Sequence, residues 1–216
     1  MSIVVDKRSS GRPNIDINVR QLLIYHAREL FSAMAYDKVS TRMIAQKSGI
    51  NVAMIRYYFN SKDGLFETMV RETLAPIQDL IQQSMVDKNS DSLFDLMRTY
   101  YRVMTVNPAF PRLIFQLMYL PSTNKQRQLM EKIFTEITQP LQRRIFERLA
   151  LQGVMCPDLD PCLCKVSFIS LMVFPFIAPP TMLNIHGVDV NEDFFIRLLE
   201  HNLKVIAGGL LLPREE

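Results

Sequence analysis

Apolar positions recur along this chain at the three-and-four spacing of helices, and no stretch alternates with the period of two that a half-buried strand requires. A first amphipathic run, Val19 to Met34, places Leu23, Ala27, Leu30 and Phe31 on one inner stripe. Between Val39 and Leu65 (VSTRMIAQKSGINVAMIRYYFNSKDGL) the elements shorten. Ser40 is placed to cap a short helix whose inner face is Ile44 and Ala45. Gly49 supplies the left-handed residue that stops it, Ile50 plugs the corner, and Asn51 can cap the next helix two residues later. In that second helix Ile55 and Phe59 stand i, i+4 and point inward, while Val52, Ala53, Met54, Arg56 and Tyr57 fall on other faces. Two helices joined so closely must cross steeply. A helix this short has little reason to expose Met54 and Tyr57 unless something covers them, and a helix-turn-helix lays its second helix in the major groove of DNA.

From Leu65 onward the helical pattern continues without an internal repeat or a low-complexity stretch. It predicts helices at Lys62 to Met85, Asp91 to Val106, Pro108 to Tyr119, Asn124 to Gln152, Asp160 to Phe176 and Asn191 to Leu212. The breaks carry turn chemistry: Asp87 to Ser90, Asn107-Pro108, Pro121-Ser122, Gly153 to Pro157, and Pro179 through Gly187. Pro76 and Pro140 sit inside helical patterns and should kink them, which yields either simple curvature or room for a small cavity. Val166 to Leu183 is the most apolar stretch, yet three prolines leave its uninterrupted part short of the roughly 20 residues of a membrane span. A helix apolar on all sides must be covered on all sides. The last helix is apolar along Phe195, Leu198, Leu199, Ile206 and Leu210, with Arg197, Glu200, His201 and Lys204 elsewhere.

Composition changes the picture in one respect, the placement of charge. The chain has 216 residues, 48% of them hydrophobic, enough for a large core, and a formal net charge of +3. Residues 1 to 64 hold ten Lys or Arg against five Asp or Glu; the remainder holds fifteen against seventeen. The basic end is therefore the helix-turn-helix end, which suits a polyanionic partner as well as a merely solvated surface. Ahead of the first helix, Met1 to Asp16 carries Lys7, Arg8 and Arg12 with the turn-prone Gly11 and Pro13, and reads as a flexible basic arm able to follow phosphates or enter a minor groove. Cys156, Cys162 and Cys164 are odd in number with no secretory signal, which points to a reduced cytoplasmic protein. Their C-x-C spacing lacks the two-residue gap of zinc knuckles, so inert buried thiols are the default against a redox or metal sensor, and no metal or cofactor is expected.

Enzyme chemistry finds little support. His26, His186 and His201 are isolated, with no acidic or nucleophilic neighbour pattern that suggests a relay, and there is no phosphate-cradling glycine loop, HExxH or GxSxG. A DNA-processing enzyme such as a recombinase would need a carboxylate cluster for magnesium, and none is evident.

Residues 19 to 66, from QLLIYHARELFSAMAYDKVS through STRMIAQKSGI and YYFNSKDGLF, resemble the DNA-binding domain of the tetracycline-repressor (TetR) family of bacterial transcription regulators. Ala35 stands where the family usually has a glycine, Arg56 replaces the usual tyrosine of the recognition helix, and His26 takes a position that is usually small. The resemblance implies an all-α fold in three parts: an arm at 1–16, a three-helix DNA-binding domain at 17–64, and a helical effector-binding and dimerisation domain at 65–216. It implies a homodimer through the last two long helices, operator DNA as partner, no membrane, and a repressor released by a small-molecule effector. A constitutively bound member without an effector is the alternative. The expected DNA-contacting residues are Thr41, Arg42, Asn51, Val52, Ala53, Met54, Arg56, Tyr57, Tyr58 and Lys62. Arginine at position 42 can grip guanine O6 and N7, and Lys62, at the start of a helix where a lone cation opposes the dipole, is better placed beside a phosphate. For a lipophilic pocket the aromatic and methionine residues of the central helices are the candidates: Phe94, Met97, Tyr101, Met104, Phe115, Met118, Tyr119, Phe134, Phe168 and Met172, each equally at home in plain core.

Overall fold

A computed structural model describes residues 12–86 and 92–212, and over these the fold is all-α. The helices are α1 (Arg12–Ala33), α2 (Thr41–Ser48), α3 (Ala53–Phe59), α4 (Lys62–Val86), α5 (Ser92–Val106), α6 (Phe110–Met118), α7 (Lys125–Leu151), α8 (Pro161–Ile177), α9 (Pro180–Ile185) and α10 (Glu192–Gly209), with a single 3-10 turn at Tyr36–Lys38. An isolated antiparallel bridge, Met155 with Leu211, is the extended pairing among the described residues. No helix among them is long and apolar enough to cross a membrane.

The chain divides into two compact units, one ending at Val70 and the other beginning at Arg71, so the division falls inside α4. In the first unit Leu23, Ile24, Ala27 and Phe31 of α1 meet Ile44 of α2, Ile55 and Phe59 of α3, and Leu65, Phe66 and Met69 of α4, all buried. Most of the expected arm, Met1 to Gly11 with Lys7 and Arg8, lies outside the described residues. Its last part does not: α1 opens at Arg12, not near Val19. Pro13 falls in the first helical turn, where a missing N–H leaves nothing unsatisfied, so a residue read as a break is an opening.

In the second unit α5 packs on α8 and α10, and α6 on α7 and α8. Phe168 and Phe176 of α8 are buried, as are Met97, Tyr101 and Met104 of α5 and Ile206 of α10. A proline set in α8 organises this packing. Pro175 has no N–H to donate to the carbonyl one turn earlier, which leaves the Leu171 oxygen without its helical partner. Two side chains take it: Tyr101 Oη of α5 donates at 3.2 Å and Asn202 Nδ2 of α10 at 2.9 Å, and Asn202 Nδ2 also lies 3.0 Å from Tyr101 Oη. Burial pushes the Tyr101 phenol up to about 12, against a hydrogen bond from Asn202 that acts the other way. The end of α8 is met similarly. The Phe176 carbonyl faces Pro179 and Pro180, neither of which can donate, and Arg112 Nε of α6 supplies the bond at 3.1 Å.

The break expected from Pro179 to Gly187 holds the short α9, whose prolines sit where a helix tolerates them, at the cap and first position. The last helix stops at Gly209, not Leu212; Leu212 N donates to Val154 O at 2.8 Å and Cys156 N to Leu210 O at 3.1 Å. The expected break at Asp87 to Ser90 lies outside the described residues.

Candidate nucleic-acid interface and apolar cavity

In the first unit, local chemistry builds the helix-turn-helix. Ser40 Oγ accepts from Met43 N at 3.2 Å and opens α2. Gly49 closes it at φ 67°, ψ 18°, and Ile50 N donates to Ala45 O at 3.0 Å, the paired bonds of a left-handed helix stop. Asn51 then caps α3 through its side chain, Oδ1 accepting from Ala53 N at 2.9 Å. Ile55 and Phe59 turn inward. Val52 and Tyr57 stay outside at 43% and 72% exposure, large for apolar side chains on a seven-residue helix. Arg42, Asn51, Ala53 and Arg56 are also exposed, and Thr41, Met54 and Tyr58 half-buried; the Tyr57 and Tyr58 rings meet edge to face, 4.9 Å apart.

The exit from α3 is the most constrained turn in the head. Asn60 has φ 63°, and Ser61 N donates to Phe59 O at 2.7 Å, a three-residue turn of the rare kind with a positive central φ. Asparagine tolerates that backbone better than most residues. Gly64 follows. A Cβ there would lie 2.1 Å from the Phe59 carbonyl oxygen, so only glycine lets α4 start this close to the end of the recognition helix.

Lys62 has partners within the head itself. Its Nζ donates to Tyr36 O at 3.1 Å and Val39 O at 3.0 Å and stands 4.0 Å from the Tyr36 ring centroid. Two of its three N–H donors are held inside the head, on the end carbonyls of the 3-10 turn and the approach to α2. Tyr36 is itself fixed, its ring stacked on Phe31 and edge-on to Phe66, its hydroxyl donating to Asp63. Ala35 needs no glycine, having φ −55° and ψ 142°. His26, the other departure, turns its ring to Glu29 at 2.8 Å, and Lys47 of α2 reaches the same carboxylate at 3.4 Å. That pairing lowers the Glu29 pKa, the His26 hydrogen bond contributing most.

The second unit contains an apolar cavity of about 310 Å³. Met104, Phe115, Met118, Phe134 and Met172 line it; the other five expected residues do not. Met97 and Phe168 are plain core, Phe168 edge-on to Phe146. Tyr101 belongs to the bond set at Pro175, Phe94 is half-buried off the cavity, and Tyr119 is 76% exposed. Aliphatic residues do much of the lining, among them Leu74, Ile77 and Ile81 of α4 and Ile169 and Val173 of α8. Their spacing was visible, but an aliphatic stripe reads as core until the fold leaves a gap beside it. Tyr100, one residue from the expected Tyr101, is among the described residues the lining side chain with a hydroxyl; burial raises its pKa well above the usual phenol range. The three cysteines lie apart from this cavity's lining. Cys162 is exposed, Cys156 half-buried, and Cys164 buried with its thiol raised, by burial first and then by Asp160 and Cys156.

Comparison with known proteins agrees with this geometry. Residues 23–69 match the model of bacterial regulatory proteins of the tetR family. The chain is 26% identical over 170 residues to the "Probable HTH-type transcriptional regulator YttP" of Bacillus subtilis, covering 67% of this chain and 79% of that protein. Its fold is similar to that of the fatty acid degradation regulator FadR from Bacillus halodurans, with a TM-score of 0.67, 16% identity, and coverage of 94% of this chain and 98% of the other. NalD, the secondary repressor of the MexAB-OprM multidrug efflux pump in Pseudomonas aeruginosa, gives a TM-score of 0.66 at 17% identity, covering 92% of this chain and all of the other.

Proposed function

We infer that this chain, which by its N-terminal domain belongs to the tetR family of bacterial regulatory proteins, is a dimeric repressor that leaves a palindromic operator when a small lipophilic effector binds. The observation that carries the DNA reading is the outward face of α3. A two-turn helix held by a capped turn on one side and the Asn60–Gly64 exit on the other presents Val52, Arg56 and Tyr57 to solvent, and those residue types find methyl, phosphate and sugar partners in a groove. Arg42, exposed in the first turn of α2, is the candidate for a base edge. Selection from random duplexes, followed by Arg42→Ala against single-base variants of the selected site, tests both. A palindromic motif and loss of discrimination at one base pair are the expected results; a motif-free selection would sink the reading.

Dimerisation through α8 and α10 is supported by what one chain leaves uncovered. Leu163, Val166 and Phe174 lie on one stripe of α8 and are 66%, 60% and 45% exposed, and Ile196 and Val205 of α10 are exposed as well. A second copy buries this face, and the protein is cytoplasmic, where its operator is. Leu163→Glu with Val166→Glu should yield monomers by sedimentation and weaken operator binding, since the two heads must span half-sites about 34 to 36 Å apart.

A further inference from the structure

Deepening the effector reading just given, and resting on it, we propose that the cavity takes an uncharged lipophile bearing one hydrogen-bond acceptor, a ketone, ester or amide oxygen, seated on the Tyr100 hydroxyl. Among the described residues, the lining of the cavity of about 310 Å³ has no Lys, Arg, His, Asp or Glu. A carboxylate or ammonium inside it loses its hydration with nothing to replace it, at a cost of several kcal/mol, so the part of a ligand that enters is neutral. Ile77 and Ile81 of α4, Ile114 of α6 and Ile169 of α8 give the hydrocarbon its walls.

A wholly apolar ligand fits the walls but not the Tyr100 hydroxyl, the one side-chain oxygen or nitrogen in the lining among the described residues. The Tyr100 ring packs edge-on against Phe176 at 5.6 Å, which fixes its direction, and among the described residues its hydroxyl has no hydrogen-bond partner. Its neighbour Tyr101 offers the contrast, both bonds at its hydroxyl being made within the protein. Desolvation keeps the Tyr100 phenol protonated at all ordinary pH, so it is a donor throughout and seeks an acceptor. The site rewards an oxygen at one place on an otherwise apolar molecule, and rejects a charge anywhere within.

The test uses the full-length dimer and two probes of matched length, methyl nonyl ketone and undecanoic acid, each displacing an apolar fluorescent dye at neutral pH. The ketone should bind at least tenfold more tightly than the carboxylate. Tyr100→Phe should weaken the ketone about three- to tenfold, the range for one neutral hydrogen bond, while leaving dye affinity unchanged because the ring and its packing remain. A carboxylate that binds as well as the ketone, or a ketone indifferent to Tyr100→Phe, overturns the proposal and leaves the effector reading standing. Failure of dye and both probes to bind overturns the two together. Met172→Trp, which fills the cavity, must abolish dye and ketone binding alike; binding that survives it places the ligand elsewhere and overturns the proposal.

Discussion

Gly64 and Lys62 show how a residue's role is set by what stands beside it in space. At Gly64 the added methyl of alanine would meet a backbone oxygen, which cannot swing aside as a side chain does. Gly64→Ala should therefore cost about 1 to 3 kcal/mol in thermal unfolding and weaken operator binding with it, because the turn that must yield is the exit of the recognition helix. Unchanged melting would mean the turn relaxes freely. Lys62→Ala removes two bonds from a cation to backbone carbonyls, and should destabilise the DNA-free protein by about 1 to 3 kcal/mol. A variant with native stability but a salt slope of binding reduced by about one unit would return Lys62 to the phosphates. Ser40, Gly49 and Asn51 were legible because capping acts within three residues. Gly64 and Lys62 were not, since the atoms that constrain them, Phe59 O and the carbonyls of Tyr36 and Val39, are brought near only by the fold.

At the scale of elements the helices were legible nearly throughout, and the errors cluster at prolines. Pro13 opens a helix and Pro180 starts another, while Pro175 lies in the last turn of α8, inside the helix as expected. Proline in a sequence says that a donor is missing; whether the chain breaks depends on whether another group satisfies the freed carbonyl. For Pro175, Tyr101 and Asn202 do so from two other helices, which is why a polar Asn202 is buried on the apolar face of α10. Asn202→Leu should cost about 1 to 3 kcal/mol, from an acceptor left with one donor fewer. Burial of the Tyr101 phenol in this bond set predicts an alkaline response. Tyr101 titrates at about 12 in the folded protein against 10.0 ordinarily, so its contribution is fully present below pH 10 and is lost as pH rises from 10 towards 12. Tyr100, also raised by burial, adds a loss of its own, so urea unfolding followed across that range should show a fall that Tyr101→Phe reduces by on the order of 2 kcal/mol without abolishing it; an undiminished fall in that variant would assign the alkaline loss to other groups.

Over the whole molecule, the head could be read from short-range rules and a local excess of positive charge, whereas the cavity could not, because a cavity is the place where helices fail to fill space and no single helix records it. Aromatic and methionine side chains were a half-reliable guide, and the aliphatic wall on α4 was missed. That wall bears on the proposed regulation. α4 is one helix, Lys62–Val86: its first turns supply Leu65, Phe66 and Met69 to the head's core, and Leu74, Ile77 and Ile81 line the cavity. A ligand against those residues alters operator binding only through a difference in affinity between operator-free and operator-competent forms, and moving the balance from 1:99 to 99:1 takes about 5.5 kcal/mol of such difference. Linkage makes the effect reciprocal. Titrating methyl nonyl ketone into the dimer with and without saturating operator should show its affinity reduced by the factor by which the ketone weakens the operator. Substituting Ile77→Ala should shrink both factors together, because the side chain removed is one the ligand would press on. Equal ketone affinities in the two titrations, with operator still released, would place the release outside this cavity.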